Sequence, residues 1–413
     1  MKSITYKLFP FLISLLFLFP ILKESLSSFF IILLCVNTLL YSVVSKNFKS
    51  FNVKILFFTI PFWIILIRSM LSGLLLDNIT PLRHALFFLI CPIFFSLIPS
   101  EFFSFKKINL YLSILKNTCL AIACVYVISF FITVPQWKYS IVFQNVSVFR
   151  EYIYNDFKLF VIHPTYYTTI LILCIAHSFD LVLNKRKFLQ LIYIFSFIVI
   201  SFLLLTRLNI VLEVLVLVTM LLINNKASLK QKIGFTFSIF ALIASLAFFT
   251  PGIKARFVEL INSFNVKPEN LAYDSTNVRQ AVYTCGWEVS KEHLLFGVGF
   301  DQLQGELNKC YQSVYRSSFY TDTDYLTHNY YTYILASSGF IGLILFLIYI
   351  GFIVRIAFSS RIFLFKVFIA QAIIICFFED FMYRHYGGLY FNLLLMLFIQ
   401  HHENNKSIAK QEL

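Results

Sequence analysis

The sequence predicts an all-α protein, a polytopic transmembrane helical bundle of about 12 spans with a large, partly helical loop on one side. Two observations lead to this fold class. Hydrophobic residues make up 59% of the 413 residues and charged residues only 13%, whereas a soluble chain of this length needs a largely polar surface. The apolar residues also form long runs, without the alternation of apolar and polar positions that is typical of membrane β-strands.

Twelve apolar runs approach the length of about 20 residues that a helix needs to cross the roughly 30 Å hydrocarbon core of a bilayer. They lie near residues 8–22, 27–44, 55–75, 82–98, 108–134, 164–183, 188–206, 208–223, 233–250, 329–354, 362–378 and 386–400. The first run follows a short basic start, as in a signal peptide. Because no small-residue cleavage site follows it, we interpret it as a retained span.

The distribution of positive charge orients these spans. The formal net charge is +14, and membrane proteins concentrate Lys and Arg in their cytoplasmic loops. If the N-terminus is cytoplasmic, every second loop is short and basic, as at Lys185, Arg186 and Lys187, and the alternate loops are poor in basic residues for their length. The even number of spans then places both termini in the cytoplasm. We therefore attribute the positive charge to orientation and expect no nucleic-acid partner.

This orientation divides the chain into four parts. Spans 1–9 occupy residues 1–250, the large outer loop residues 251–327, spans 10–12 residues 328–400, and a cytoplasmic tail residues 401–413. The loop contains an amphipathic stretch over residues 279–293. One helix face of this stretch comprises Val282, Tyr283, Trp287 and Val289. This spacing predicts a helix in the outer loop.

Cationic residues gather at the outer ends of the spans. They are Arg68, Arg83, His84, Arg207, Arg279, His328, Arg384 and His385. Ionisable groups at membrane depth are costly and therefore mark candidate functional sites. Several cations on one surface suit a diffuse anion such as phosphate or pyrophosphate. The alternative for a single Arg is contact with lipid head groups, and this alternative is favoured for Arg68 and Arg83.

The most informative stretch lies between residues 297 and 342. It begins with Gly297, Val298 and Gly299, where the glycines predict a tight turn with close backbone approach. His328 and Asn329 follow at the outer mouth of a span, with Gly339 and Gly342 about three turns deeper. The two deeper glycines are expected to let a neighbouring helix approach.

These residues resemble the O-antigen ligase and polymerase superfamily of bacterial membrane glycosyltransferases. The ligase signature is a His, then Asn, Ser or Gln, nine residues, a Gly, two residues, and Gly, Thr or Tyr. It is matched at every position by His328, Asn329, Gly339 and Gly342. The Gly-Val-Gly turn, Arg279 ahead of Trp287, and Arg207 after a long apolar helix are also similar to this family. The segments 163–166 and 379–387 resemble family variants.

The resemblance implies a reaction at the periplasmic face of the bacterial inner membrane. The donor is a glycan on a polyprenyl pyrophosphate, and a ligase passes it to a sugar hydroxyl of lipid A–core. Membrane lipids are the remaining partners, and the family requires no metal, cofactor or nucleotide sugar. A polymerase, which uses a second lipid-linked repeat unit of O-antigen or exopolysaccharide as acceptor, is the close alternative. A protein O-oligosaccharyltransferase ranks third.

Residue chemistry supports specific roles. The expected catalytic residues are His328, Arg207 and Arg279, and the expected substrate-binding residues are Asn329, Gly297, Gly299, Arg83 and Arg384. His328 has an ordinary pKa suited to general base catalysis, and nearby cations are expected to lower it and keep the ring neutral. Arg207 and Arg279 are expected to bind the leaving pyrophosphate, with Arg83 and Arg384 assisting at the lipid phosphate.

Two questions stay open at this point. A transporter of lipid-linked glycans fits the span number equally well, but transporters place polar residues near the bilayer midplane, whereas here they crowd one face. Cys285 and Cys310 share the outer loop and are able to form a disulfide if that side is oxidising. Spacing alone does not decide whether they pair, because the Cα separation is needed.

Overall fold

The computed structural model describes residues 2–46, 53–72, 79–135, 147–224, 228–249, 261, 275–315 and 324–411, and these residues contain helices, turns and loops but no β-strand. The helices are α1 (Lys2–Leu16), α2 (Glu24–Ser45), α3 (Ile60–Leu71), α4 (Ile79–Leu97), α5 (Phe105–Thr133), α6 (Ser147–Glu151), α7 (Pro164–Lys185), α8 (Gln190–Leu203), α9 (Arg207–Ile223), α10 (Leu229–Phe249), α11 (Ser275–Glu292), α12 (Leu303–Cys310), α13 (Tyr330–Ser359), α14 (Phe363–Cys376) and α15 (His385–Gln411). The predicted all-α class is confirmed.

Within the described residues, six helical segments are long and apolar enough to cross a membrane. They are Glu24–Ser45, Lys54–Leu71, Ile79–Leu97, Phe105–Thr133, Pro164–Lys185 and Tyr330–Ser359. The other predicted spans coincide with helices α1, α8, α9, α10, α14 and α15. The chain is therefore a multi-pass membrane protein, and the total of twelve crossings stays a prediction.

The outer loop predicted over residues 251–327 is helical in the part that the structure describes. Helix α11 covers the predicted amphipathic stretch, and α12 follows it. Residues 251–260, 262–274 and 316–323 of this loop lie outside the described residues. The side of the membrane that the loop faces stays a prediction.

The chain divides into two compact units. The first consists of Met1–Pro10, Ile32–Phe105 and Glu259–Leu413, and the second of Phe11–Ile31 and Lys106–Val258. In the first unit, α4 packs against α3 and α15, and α13 packs against α3, α11 and α14. This packing surrounds the start of α13, where the sequence places His328.

The second unit is built around α7, which is buried along most of its length and packs against α8 and α9. Pro164 begins α7, where its missing N–H costs nothing, and His163 caps the helix by accepting a hydrogen bond from the backbone of Thr165 at 3.3 Å. Asn209 of α9 donates to the carbonyl of Thr165 and to the hydroxyl of Thr168 at 3.1 and 2.6 Å. Polar contacts thus fix α9 against the start of α7.

Candidate active site at the start of helix α13

Helix α13 is interrupted near its N-terminal end at Gly339, which has φ +70° and ψ −170°. The interruption leaves two carbonyls without a partner inside the helix. The backbone N–H of Val298 donates to the carbonyl of Ala336 at 2.8 Å, and that of Gly299 donates to the carbonyl of Ser337 at 2.9 Å. The Gly-Val-Gly turn therefore pairs with the broken helix and satisfies carbonyls that would otherwise lie unpaired.

The glycines at this junction allow two backbones to touch. A Cβ on Gly339 would lie 2.2 Å from the carbonyl oxygen of Leu295, and a Cβ on Gly297, which has φ +68°, would lie 2.4 Å from the carbonyl carbon of Ser337. Both distances are too short for any side chain. The predicted close approach at Gly297 is confirmed. The prediction that Gly339 lets a neighbouring helix approach was wrong, because a loop packs against Gly339 instead.

Arg68 of α3 holds the same loop from the other side. Its Nε donates to the carbonyl of Phe296 at 2.8 Å, and its Nη2 donates to the carbonyl of Gly297 at 3.1 Å. Such charge-assisted hydrogen bonds are stronger than neutral ones. Arg68 therefore positions the glycine turn, and its contact with lipid head groups stays a prediction.

Helix α11 packs against the first turns of α13. Gly286 permits this approach, since a Cβ there would lie 2.9 Å from Cγ2 of Thr332. The hydroxyl of Tyr283 lies 3.5 Å from the carbonyl of His328. These contacts bring Arg279, which lies one turn earlier on α11, to the start of α13.

The buried face of α11 and a disulfide fix this helix. Val282, Cys285 and Val289 are buried, whereas Trp287 is 53% exposed, so the prediction that Trp287 shares one helix face with Val282 and Val289 was wrong. The three buried positions recur at helical spacing, which Trp287 does not share. Cys285 is bonded to Cys310 with a Cα separation of 5.6 Å, and this bond ties α11 to α12.

The centre of the site is a carboxylate that contacts two predicted catalytic residues. Oε1 of Glu379 accepts a hydrogen bond from Nη2 of Arg279 at 3.3 Å, and Oε2 of Glu379 lies 3.4 Å from Nδ1 of His328. The Glu379 side chain is 14% exposed, that of His328 30% and that of Arg279 47%. The imidazole and guanidinium are thus anchored at one end and remain accessible to a ligand.

Asp380 fixes the backbone that carries His328. Its carboxylate accepts hydrogen bonds from the backbone N–H of His328 at 2.8 Å, the backbone N–H of Asn329 at 3.2 Å and the hydroxyl of Thr327 at 2.5 Å. His328 has φ +43°, a left-handed conformation that is costly for a residue with a side chain. The buried carboxylate compensates by holding the turn in that conformation.

The electrostatics of His328 differ from the sequence-based expectation. Burial lowers the pKa of His328, but the hydrogen bond and charge of Glu379, together with the charge of Asp380, outweigh burial and Arg279, so the pKa is raised above its ordinary value. The prediction of a lowered pKa was wrong because it counted the cations and missed both carboxylates. The pKa of Asp380 is also raised, because burial outweighs the charge of His328 and the hydrogen bond from Thr327, which act to lower it.

Asn329 and the glycine turn have structural partners. The side-chain oxygen of Asn329 accepts hydrogen bonds from the backbone N–H groups of Tyr331 and Thr332 and so caps α13. The N–H of Gly297 donates to the carbonyl of His293 at 2.8 Å, and the N–H of Gly299 is paired as described above. Substrate contacts by Asn329, Gly297 and Gly299 therefore stay predictions.

The structure brings Arg83 and Arg384 together around two rings. Nη2 of Arg83 lies 3.4 Å from Nε2 of His84, and the guanidinium of Arg384 lies 5.6 Å from the ring centre of Tyr383. The rings of His84 and Tyr383 meet edge to face with centres 5.2 Å apart. We call Arg83, His84, Tyr383 and Arg384 the Arg83–Arg384 cluster.

Arg207 begins helix α9 in the second compact unit, directly after a corner in which Leu205 has φ +52°. The backbone of this corner is closed by a hydrogen bond from the N–H of Thr206 to the carbonyl of Ser201 at 3.3 Å. The predicted position of Arg207 at the end of a helix is confirmed. Its role in substrate binding stays a prediction.

Sequence reasoning missed Glu379 and Asp380 as site residues. A signal was present, because two adjacent carboxylates directly precede the last apolar run on the side where the cations gather. Acidic residues beside a membrane span are costly unless they are paired. That cost predicts that both carboxylates are paired, by an ion pair or by hydrogen bonds, with groups that the fold brings close.

Comparison with known families supports the resemblance. Residues 191–347 match the family model Wzy_C, described as O-Antigen ligase. The matched segment contains Arg207, Arg279, the glycine turn and the His328 signature, whereas Glu379 and Asp380 follow it. The resemblance to the O-antigen ligase superfamily is thus confirmed over this segment. No curated protein matches the chain.

The helical fold and the site together define a multi-pass membrane protein with a His–carboxylate–Arg constellation at the start of one long helix. The family match over residues 191–347 is a similarity that supports an O-antigen ligase- or polymerase-type membrane enzyme. Enzymes of this superfamily act on lipid-linked glycans within a membrane.

Proposed function

We propose that this protein is an O-antigen ligase-type glycosyltransferase that moves a glycan from polyprenyl pyrophosphate to a sugar hydroxyl of lipid A–core. The observation that carries the proposal is the contact of Glu379 with both His328 and Arg279. This contact places an oriented base, His328, beside an accessible cation, Arg279, at the start of one helix. These are the two groups that transfer from a pyrophosphate leaving group requires.

His328 is the proposed base. Because the carboxylate of Glu379 is a hydrogen-bond acceptor, it favours the tautomer with the proton on Nδ1, which leaves Nε2 as the acceptor. Nε2 takes the proton of the acceptor hydroxyl as that oxygen attacks the anomeric carbon of the donor. Asp380 keeps the ring in place through the backbone of His328.

The leaving group departs as polyprenyl pyrophosphate. As the new glycosidic bond forms, the bond between the anomeric carbon and the pyrophosphate oxygen breaks, and its electron pair leaves with the pyrophosphate. Arg279 is half exposed and stabilises the charge that develops on this oxygen. Arg207 is assigned to the same anion by the family resemblance. The chemistry needs no metal in this proposal, because guanidinium groups supply the positive charge.

The proposed location is the periplasmic face of the bacterial inner membrane, with both termini in the cytoplasm. The disulfide between Cys285 and Cys310 supports this orientation, because disulfides persist in the periplasm and are rare in the cytosol. The helix that carries Arg279 then faces the compartment in which lipid A–core and the lipid-linked glycan meet.

The test is the surface glycan profile of a strain that lacks the gene, compared with strains rescued by the wild-type gene or by H328A. A ligase predicts core-sized lipopolysaccharide without long chains, accumulation of lipid-linked polymer, and no rescue by H328A. Core that carries a single repeat unit would identify a polymerase instead. An unchanged profile would contradict both functions and favour another glycan or a transport role.

A further inference from the structure

The Arg83–Arg384 cluster is built into the helix packing of the first unit. Arg83 lies on α4 and Arg384 directly precedes α15, and these two helices pack against each other. Phe87 of α4 and His385 of α15 meet with ring centres 5.0 Å apart. The carbonyl of Arg384 accepts a hydrogen bond from the N–H of Gly388 at 2.8 Å. The two cations are therefore placed by rigid elements.

The positive charge of the cluster is not neutralised within the part of the chain that the structure describes. Neither Arg83 nor Arg384 forms an ion pair there, although Arg279 does so with Glu379. The carboxylate of Asp380 is buried and is used by the backbone at His328. Two exposed guanidinium groups beside the same pair of rings repel each other, so an anion bound between them is stabilising.

The cluster and the proposed catalytic site share one short chain segment, residues 379–384. Glu379 begins this segment and contacts Arg279 and His328. Arg384 ends the segment and belongs to the cluster. The protein thus presents two separate cationic groups, one at each end of residues 379–384.

Tyr383 connects the cluster to helix α13. Its ring packs against that of Tyr333 with centres 5.0 Å apart. Tyr333 is 1% exposed, and its hydroxyl has no hydrogen-bond partner within the described residues. A buried unpaired hydroxyl is costly unless a ligand or a water molecule satisfies it. The ring contact thus joins the cluster to the first turns of α13.

We infer that the Arg83–Arg384 cluster binds a phosphate group of the membrane-anchored acceptor, while the leaving pyrophosphate belongs to the Arg279 end. The inference rests on the proposed function. In a direct displacement the nucleophile attacks the face of the sugar opposite the leaving group. The acceptor oxygen and the leaving pyrophosphate therefore lie on opposite faces of the sugar, so each anionic lipid needs a cationic site of its own. Arginine suits this task because its planar fork matches phosphate oxygens.

The test measures the Michaelis constants for both substrates in purified, vesicle-reconstituted protein. The variants are R83A, R384A and the double variant, with a polyprenyl-pyrophosphate-linked glycan as donor and phosphate-bearing lipid A–core as acceptor. Loss of one charged hydrogen-bond donor predicts a rise of about tenfold in the acceptor KM for each single variant and about 100-fold for the double variant. The donor KM stays unchanged.

Two controls make the result specific. Arg150 also stacks on a tyrosine, with its guanidinium 4.7 Å from the ring centre of Tyr154, and R150A should leave the acceptor KM unchanged. With acceptor stripped of its phosphates, wild type and the double variant should have equal KM values. If the effect instead follows the anionic phospholipid content of the vesicles, the cluster binds lipid head groups and the inference is overturned.

The two proposals fail in different ways. Wild-type acceptor KM in the double variant, with H328A inactive, would overturn the acceptor site alone. Full transfer by H328A would overturn the proposed function. A rise in the donor KM alone would show that the cluster binds the donor, and it would also overturn the inference.

Discussion

Oε2 of Glu379 lies 3.4 Å from Nδ1 of His328, at the point where helix α13 begins. The two residues are 51 positions apart in the chain, so the fold creates the pair. Glu379 affects both the orientation of the imidazole of His328 and the pKa of that ring. The acid–base behaviour of the site is therefore set by this contact as much as by His328 itself.

Glu379→Gln should shift the pH dependence of transfer. The pKa of His328 is raised because Glu379, by hydrogen bond and charge, outweighs burial. A base must be unprotonated, so activity should rise with pH as His328 loses its proton, at a pH above its ordinary pKa of about 6.5. Removal of the Glu379 charge lowers the pKa, and the acidic limb of the kcat/KM profile should move to lower pH.

A matched control for this change is Glu288→Gln. Glu288 lies on the exposed side of α11, where it pairs with Lys291 at 2.9 Å. This variant removes one negative charge from the helix that carries Arg279, without touching His328. An equal shift of the acidic limb in both variants would show that general charge, rather than the Glu379 contact, sets the pKa.

Gly339→Ala should unfold the junction between α13 and the glycine turn. The new Cβ would lie 2.2 Å from the carbonyl oxygen of Leu295, in a backbone with φ +70°. We expect a loss of more than about 1 kcal/mol in stability, visible as a lower Tm of the detergent-solubilised protein. Gly351→Ala on the same helix is the control. No atom lies within 4 Å of its Cβ position, so a gain of up to about 1 kcal/mol is expected.

Loss of the disulfide should destabilise helices α11 and α12. The bond closes a loop with a sequence separation of 25 residues, for which chain entropy predicts about 3 kcal/mol. The C285S/C310S double variant should therefore melt at a lower temperature and lose activity, because α11 carries Arg279. Cys124, which is exposed and free, provides the control as C124S. Equal melting temperatures for the double variant and wild type would contradict a stabilising bond.

Glu213 should act as a buried hydrogen-bond partner that fixes α9. It is fully buried, and its Oε1 accepts a hydrogen bond from the Ser201 hydroxyl at 2.5 Å. Glu213→Gln retains this acceptor and the side-chain shape, so the melting temperature should stay close to wild type. Glu213→Ala leaves a cavity and an unpaired hydroxyl and should cost about 2 kcal/mol. Equal destabilisation by both changes would show that the carboxyl group itself is required.

The helices were predictable from the sequence because long apolar runs are a local property of the chain. Every predicted span overlaps a helix, but the bounds differ by up to eleven residues, as at the end of α15. Trp287 was assigned to the wrong face because its spacing from Val282 and Val289 does not fit the helical period. The helix face is fixed by residues such as Val282 and Cys285, which contact other parts of the fold.

The site was predictable only in part. His328 lies in a short signature, and the glycine turn and Arg279 were assigned to the same site through the family resemblance. The contact of Arg68 with Phe296 joins residues 228 positions apart, and no local pattern reports it. The effect of Glu379 on His328 was missed for the same reason. A pKa depends on every charge that the fold brings close, not on those nearby in sequence.

The proposed role of His328 is tested most directly by transfer of a labelled glycan in vesicles that contain purified protein, polyprenyl-pyrophosphate-linked donor and lipid A–core. The comparison is between wild type and H328A at matched amounts of folded, membrane-inserted protein. Removal of a general base predicts a fall of about 100-fold or more in kcat, with little change in donor KM. Transfer by H328A at the wild-type rate would contradict the assignment of His328 as the base.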